Sequence, residues 1–244
     1  MMNLMLGRSP RRKDKRRLQL KDYLPATLPP PPVAVDWGIK VPDWGMMLND
    51  SLADCTAAAA AHAEMLWTAN AATEYLPTDA DVLTFYECVS GYNPTDPSTD
   101  TGANMLDVLN YWRQVGFNGR KITAFAEVGS DPVDIKNAIA IFSCIYSGVN
   151  LPQSAEDDFR AGLPWHNVMD KSNIGGHCVL GTGYNAGGLY NATWGKSQFT
   201  TWPWERVFCD ERYVILTPEW IEANSNSPSG FNFAQLQADL AAFE

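Results

Sequence analysis

From Ala57 to Trp67 the chain runs Ala-Ala-Ala-Ala-Ala-His-Ala-Glu-Met-Leu-Trp, a stretch rich in strong helix formers. It predicts a helix with Asp54 as N-cap and Cys55 in the first turn. Asp79 to Ser90 has the pattern of a capped amphipathic helix closed by Gly91. In Ala103 to Val115 the apolar residues Met105, Leu106, Leu109 and Trp112 recur at helical spacing, and Gly116 ends the run. Both helices are expected to pack on the alanine-rich one, whose short side chains permit close approach. Ile174 to Tyr184 changes period: it alternates and predicts a strand, followed by a turn at Asn185-Ala186-Gly187-Gly188 and a return strand from Leu189. Phe199, Trp202, Trp204, Phe208 and Tyr213 are core candidates leading into a strand over Tyr213 to Leu216. Asn224 to Gly230 is turn-rich, and Phe231 to Phe243 predicts a short terminal helix.

That pattern places reactive residues in particular settings. A thiol at Cys55 faces the unpaired N–H groups and positive dipole end of its helix. Such a position can draw a cysteine pKa from about 8.5 into the range of roughly 3.5–7.5. The competing reading is a buried structural cysteine. Asn49, six residues earlier, carries an amide that could donate to an oxyanion alongside the Cys55 N–H. It could equally cap its own Asn-Asp turn. His177, at a strand start among small residues, is the candidate base. His62 lies seven residues past Cys55, about 10 Å along the helix, and is expected to be a core histidine. His166 belongs to a loop.

With Cys55, Asn49 and His177 in this order, the chain resembles the papain-like cysteine peptidases. Val35-Asp36-Trp37 resembles the start of the mature domain in that family, and the Asn49–Cys55 spacing matches that of its oxyanion glutamine and nucleophile. Ile135 to Phe142 and Cys144 to Val149 are similar to a family helix and its first barrel strand. His177 through Tyr184 and Thr193-Trp194-Gly195 resemble the histidine strand and the Asn-Ser-Trp-Gly motif. The Asn-Asp-x-x-x-Asp-Cys-Thr variant is most similar to short forms from bacteria and phages. The resemblance implies an α+β, papain-like two-lobed fold, in which a helical lobe with the cysteine helix packs against an antiparallel, barrel-like β lobe. It implies catalysis by Cys55 and His177 with Asn49 as oxyanion donor. Asn191 or Thr193 would orient the histidine, because direct alignment puts Ala192 at the family's asparagine. The chain departs from the family elsewhere too: Asn49 is one methylene shorter than glutamine, Asp54 sets a negative charge beside the thiol, and Thr56 replaces a tryptophan.

A chain of 244 residues, 45% hydrophobic, can bury a full core as one two-lobed domain. The expected boundaries are a basic, proline-ended arm at 1–32 and a papain-like domain at 33–223. Its helical lobe would span about 45–130 and its β lobe about 131–220, before a linker and helix at 224–244. No apolar run approaches the roughly 20 residues of a membrane span. Five cysteines without a C-x-x-C pair suggest a reducing environment, and Cys178, Cys209 and His177 match no zinc spacing, so neither metal nor cofactor is expected.

Charge changes the picture at the start of the chain. Residues 1–22 hold eight basic and two acidic residues, a net +6, against −10 for the whole, leaving −16 on the remainder. Such an arm, followed by the stiff Leu28-Pro29-Pro30-Pro31-Pro32, suggests attraction to an acidic protein surface, nucleic acid or anionic lipid, or else a solvated tail. It is shorter and more basic than the inhibitory pro-segments of the family. No apolar stretch follows its arginines as a secretion signal would require, so a cytoplasmic or virion-associated protein is expected. Two functions follow. One is a cysteine peptidase or amidase acting on a peptide or protein. The other is a catalytically degenerate papain-like domain with a structural or binding role, such as a phage virion component anchored by its arm within a larger complex.

Overall fold

The structure, a computed structural model, describes residues 3–217 and 231–243. Helix α1 (Cys55–Asn70) is buried along nearly its whole length, from Cys55 to Thr68. Its alanines make that burial feasible, because a helix apolar all round has to be enclosed on every side. Around it lie α2 (Asp79–Ser90) and α3 (Met105–Gln114). The capping box of Thr78 and Asp81 starts α2, and Gly91, with φ of 76°, ends it. Trp67, Phe85, Trp112 and Phe117 fill the space between these helices.

The second lobe is a seven-stranded antiparallel sheet. Its strands are β1 (Val35–Asp36), β2 (Ala124–Glu127), β3 (Ile145–Leu151), β4 (Gly175–Tyr184), β5 (Gly188–Thr193), β6 (Lys196–Thr201) and β7 (Cys209–Leu216). They run in the order β2-β7-β3-β4-β5-β6, with β1 pairing the far end of β4. Helices α4 (Pro132–Phe142) and α5 (Gln153–Ala161) connect into and out of β3, α6 (Trp202–Phe208) joins β6 to β7, and α7 (Phe233–Ala241) packs near β2. The α+β architecture expected from the sequence is the one observed.

Two local readings differ. The aromatic stretch from 199 to 208 resolves into the end of β6 and helix α6, with Trp165, Trp194, Trp204 and Phe208 in a second core cluster. Asp54 occupies the N-cap position of α1, yet its side chain makes no capping bond. Both of its carboxyl oxygens are buried without a hydrogen-bond partner, and the burial pushes its pKa well up. The turn-rich segment expected at 224–230 lies outside the described residues.

The largest difference concerns the basic arm. It is folded against the acidic body of the same chain rather than solvated. Arg11 and Arg17 pair with Glu127, Arg12 with Asp107, Arg16 with Asp14, and Arg8 with Asp210 and Glu211. Part of the arm's positive charge is therefore met by carboxylates of the same chain, Arg16 pairing within the arm itself. Among the described residues no helix is long and apolar enough to cross a membrane.

Candidate active site

Helix α1 and strand β4 meet at their reactive ends. The backbone N–H of Cys178 donates to Cys55 Sγ at 3.3 Å, so His177 is the strand residue immediately beside the thiol contact. The His177 ring stacks on Trp194, with centroids 4.2 Å apart and planes inclined by 20°. Its Nε2 lies 2.6 Å from Thr193 Oγ1, while Nδ1 is buried with no partner. A proton on Nε2, donated to Thr193, leaves the lone pair on Nδ1, the ring atom that can then accept a proton.

The two candidates for orienting the ring are thereby separated. Asn191 sits further along β5, opposite Gly181, and its amide donates to Thr200 Oγ1 at 2.8 Å. It does not reach His177; the Thr193 hydroxyl does. Asn49 is buried on the loop before α1, and its Nδ2 donates to Leu52 O at 3.2 Å. The amide also approaches Asp54, opposing the upward shift of that carboxyl. His62 is a core histidine edge-on to Trp44, with Nε2 at 3.2 Å from Gly45 O. His166 is exposed beside Pro164 O and Asp158.

What covers this site is not foreseen from the chain's local patterns. Residues 5–9 of the arm thread between the two lobes directly over Cys55 and His177. Met5 N–H donates to Asn49 O, and Met5 O accepts from the Trp194 indole. Gly7 and Arg8 N–H both point to Gly176 O at 3.1 and 3.0 Å, and the arm pairs with the 102–103 segment through Ser9 N to Ala103 O and Ala103 N to Gly7 O. The passage is built of glycines. A Cβ on Gly7 would lie 1.7 Å from Ala53 O, one on Gly102 would lie 1.9 Å from Gly7 O, and one on Gly176 would lie 2.2 Å from Arg8 O. The covered pair is sealed, with Cys55 1% and His177 0% exposed.

Sealing sets the protonation state. Burial pushes the Cys55 thiol up to about 12, against the Cys178 and Gly7 N–H groups, which favour the thiolate. Burial, and then the positive charge of Arg8, pull His177 down to about 3. In the covered site the two groups are a neutral thiol and a neutral imidazole. That pair is chemically quiet.

No family model and no curated protein matches this chain. Solved structures do. Xylellain, a cysteine protease from Xylella fastidiosa, matches with a TM-score of 0.68 over 88% of this chain and 97% of its own, at 17% identity. A structure from a study of the mite allergens Blo t 1 and Der p 1 matches at 0.54 and 12% identity, covering 88% of this chain and 76% of its own. Digestive procathepsin L 3 from the larval midgut of Tenebrio molitor gives 0.54 and 12%, covering 82% and 76%. The chain has a papain-like fold.

Proposed function

We propose that this chain is a cysteine hydrolase of peptide or related amide bonds, held in a covered state by its own N-terminal arm. The observation that carries the reading is the arrangement around Cys55. A thiol at a helix N-terminus lies 3.3 Å from the Cys178 N–H, and the preceding residue is a histidine whose far nitrogen is anchored on Thr193. Once the arm leaves, Cys55 would pass its proton to His177 Nδ1, and the thiolate would attack the substrate carbonyl. The tetrahedral oxyanion would be held by the Cys55 N–H and the Asn49 amide, after Asn49 gives up its bond to Leu52. The imidazolium would protonate the departing amine. A water, deprotonated by the same ring, would then split the thioester to the acid and restore the thiol.

A second reading is favoured by the sealed, neutral pair and by the unpartnered Asp54: a papain-like domain whose site is silent and whose role is structural or binding, as in a virion component. Thiol alkylation and casein hydrolysis on a chain whose arm has been displaced separate the two. The hydrolase requires turnover that disappears in Cys55→Ala and His177→Ala. A displaced-arm protein whose thiol titrates near 8.5, identically with and without His177, and which turns over nothing, leaves only the second reading.

Thr193 provides a finer check. Thr193→Val keeps the volume and removes the hydroxyl. It is expected to lower kcat on the order of a hundredfold with KM little changed, as loss of a positioned acid–base would, while Thr193→Ser retains most of the rate. Equal losses in both variants would assign Thr193 a packing role.

A further inference from the structure

Behind the glycine passage the arm delivers one side chain into a pocket between β3 and β7. The Arg8 side chain is fully buried. Its Nη1 lies 2.8 Å from Glu211 Oε1 and 3.0 Å from Asp210 Oδ1, and its Nη2 lies 2.9 Å from Asn150 Oδ1 and 3.4 Å from Val149 O. The acceptors are themselves held in place. Tyr213 donates its hydroxyl to Glu211 Oε2 at 3.1 Å, and Asn150 Nδ2 donates to Asp210 Oδ2 at 3.1 Å. Room for the stem comes from Gly148, where a Cβ would lie 2.7 Å from Arg8 Cδ.

We propose that this pocket is a recognition subsite for an arginyl side chain, that Arg8 is its resident occupant, and that the substrates of the site are polypeptides presenting arginine there. The inference rests on the hydrolase reading above and names its substrate class. Three features argue for a built binding site rather than a surface ion pair. The first is burial: with Arg8 seated, Glu211 is 2% exposed, and a carboxylate held that far from water needs a paired cation. The second is the shape of the acceptor set. Two carboxylates face one terminal nitrogen, while an amide oxygen and a carbonyl face the other, which matches the planar fork of a guanidinium and not the point charge of an ammonium. The third is location. The pocket opens from the passage where Gly176 holds the arm backbone, next to His177 and Cys178. A chain lying across the thiol would therefore pass its mouth.

The test uses the full chain with Gly7→Val to displace the arm, and Arg8→Ala as a second host should the first fold poorly. Binding is read in the added presence of Cys55→Ala. The probes are a synthetic peptide copying residues 4–12 and its analogue with citrulline, the neutral isostere, at the position of Arg8. The arginine peptide is expected to bind about a hundredfold more tightly than the citrulline one, the scale of a buried charge pair broken on one side. Glu211→Gln should erase most of that ratio. Turnover of a positional peptide library by the displaced-arm chain should favour arginine at one position, again dependent on Glu211. Equal affinity for the two peptides, a preference that survives Glu211→Gln, or no binding at all overturns the arginine subsite. Arginine-dependent binding with no turnover of any peptide keeps the subsite and overturns the hydrolase reading alone.

Discussion

Gly7→Val is expected to raise the alkylation rate of Cys55 near neutral pH on the order of a thousandfold, because each pKa unit regained multiplies the thiolate fraction by ten. Gly7 lies so close to Ala53 that any β-carbon meets the Ala53 carbonyl at 1.7 Å. The two backbones cannot separate while Gly176 and Ala103 bond the same arm residues. The arm must leave the groove, and the burial that holds Cys55 at about 12 leaves with it. Iodoacetamide labelling followed by mass spectrometry measures the effect, with limited proteolysis reporting release of the arm. A released arm with an unchanged labelling rate would mean that burial by the arm is not what keeps the thiol inert. The same experiment has a pH signature. His177, at about 3 when covered, binds a proton in the open state below its ordinary value near 6.5, so acid favours opening there. The thiol, at about 12 when covered, ionises in the open state above about 8.5, so base favours opening as well. In the unmodified chain the arm should therefore be best protected from proteolysis between those two values.

The second large effect concerns stability. Arg212 and Glu205 form a buried ion pair, Nε to Oε1 at 2.7 Å, and Arg212 Nη2 also reaches the carbonyls of Glu205 and Cys209. These bonds tie the end of α6 to β7 at the corner that carries Asp210 and Glu211. Glu205→Ala leaves the guanidinium buried and uncompensated, and is expected to cost about 3–5 kcal/mol. For a chain of this size that is a fall in Tm of roughly 6–20 °C. Replacing both partners, Glu205→Met with Arg212→Leu, should recover most of the loss, since an apolar pair of similar volume escapes the desolvation penalty. Thermal unfolding of the three variants decides it. A single-variant loss as small as that of a surface pair would show that water reaches the corner.

The fold and the ends of the candidate site were legible because they rest on local rules. The alanine run before Met65 reads as a helix, the stretch through Gly175–Tyr184 reads as a strand, which the fold buries on both faces from His177 onward, and Gly91 and Gly116 close helices with positive φ. The choice between Asn191 and Thr193 was of another kind. The two residues lie two apart on one strand, roughly 7 Å at the usual rise. Only the pairing register of β4 with β5 says which of them stands over His177.

By itself, then, the sequence determined the alanine-rich, second and third helices, the histidine strand and its return strand, the α+β class, and the placement of Cys55 at a helix start and His177 on a strand, all of which depend on neighbours within a few residues. Only the tertiary structure decided what the arm does. Gly7 meets Ala53, Gly102 and Gly176, and Arg8 meets Glu211 across 203 positions of chain. A count of charge can say that a basic segment will seek an acidic surface, but not that the surface is its own. That outcome depends on the width of a cleft between two lobes, and on a pocket floor formed by Gly148 on one strand and Glu211 on another, a shape that exists only once the sheet has closed.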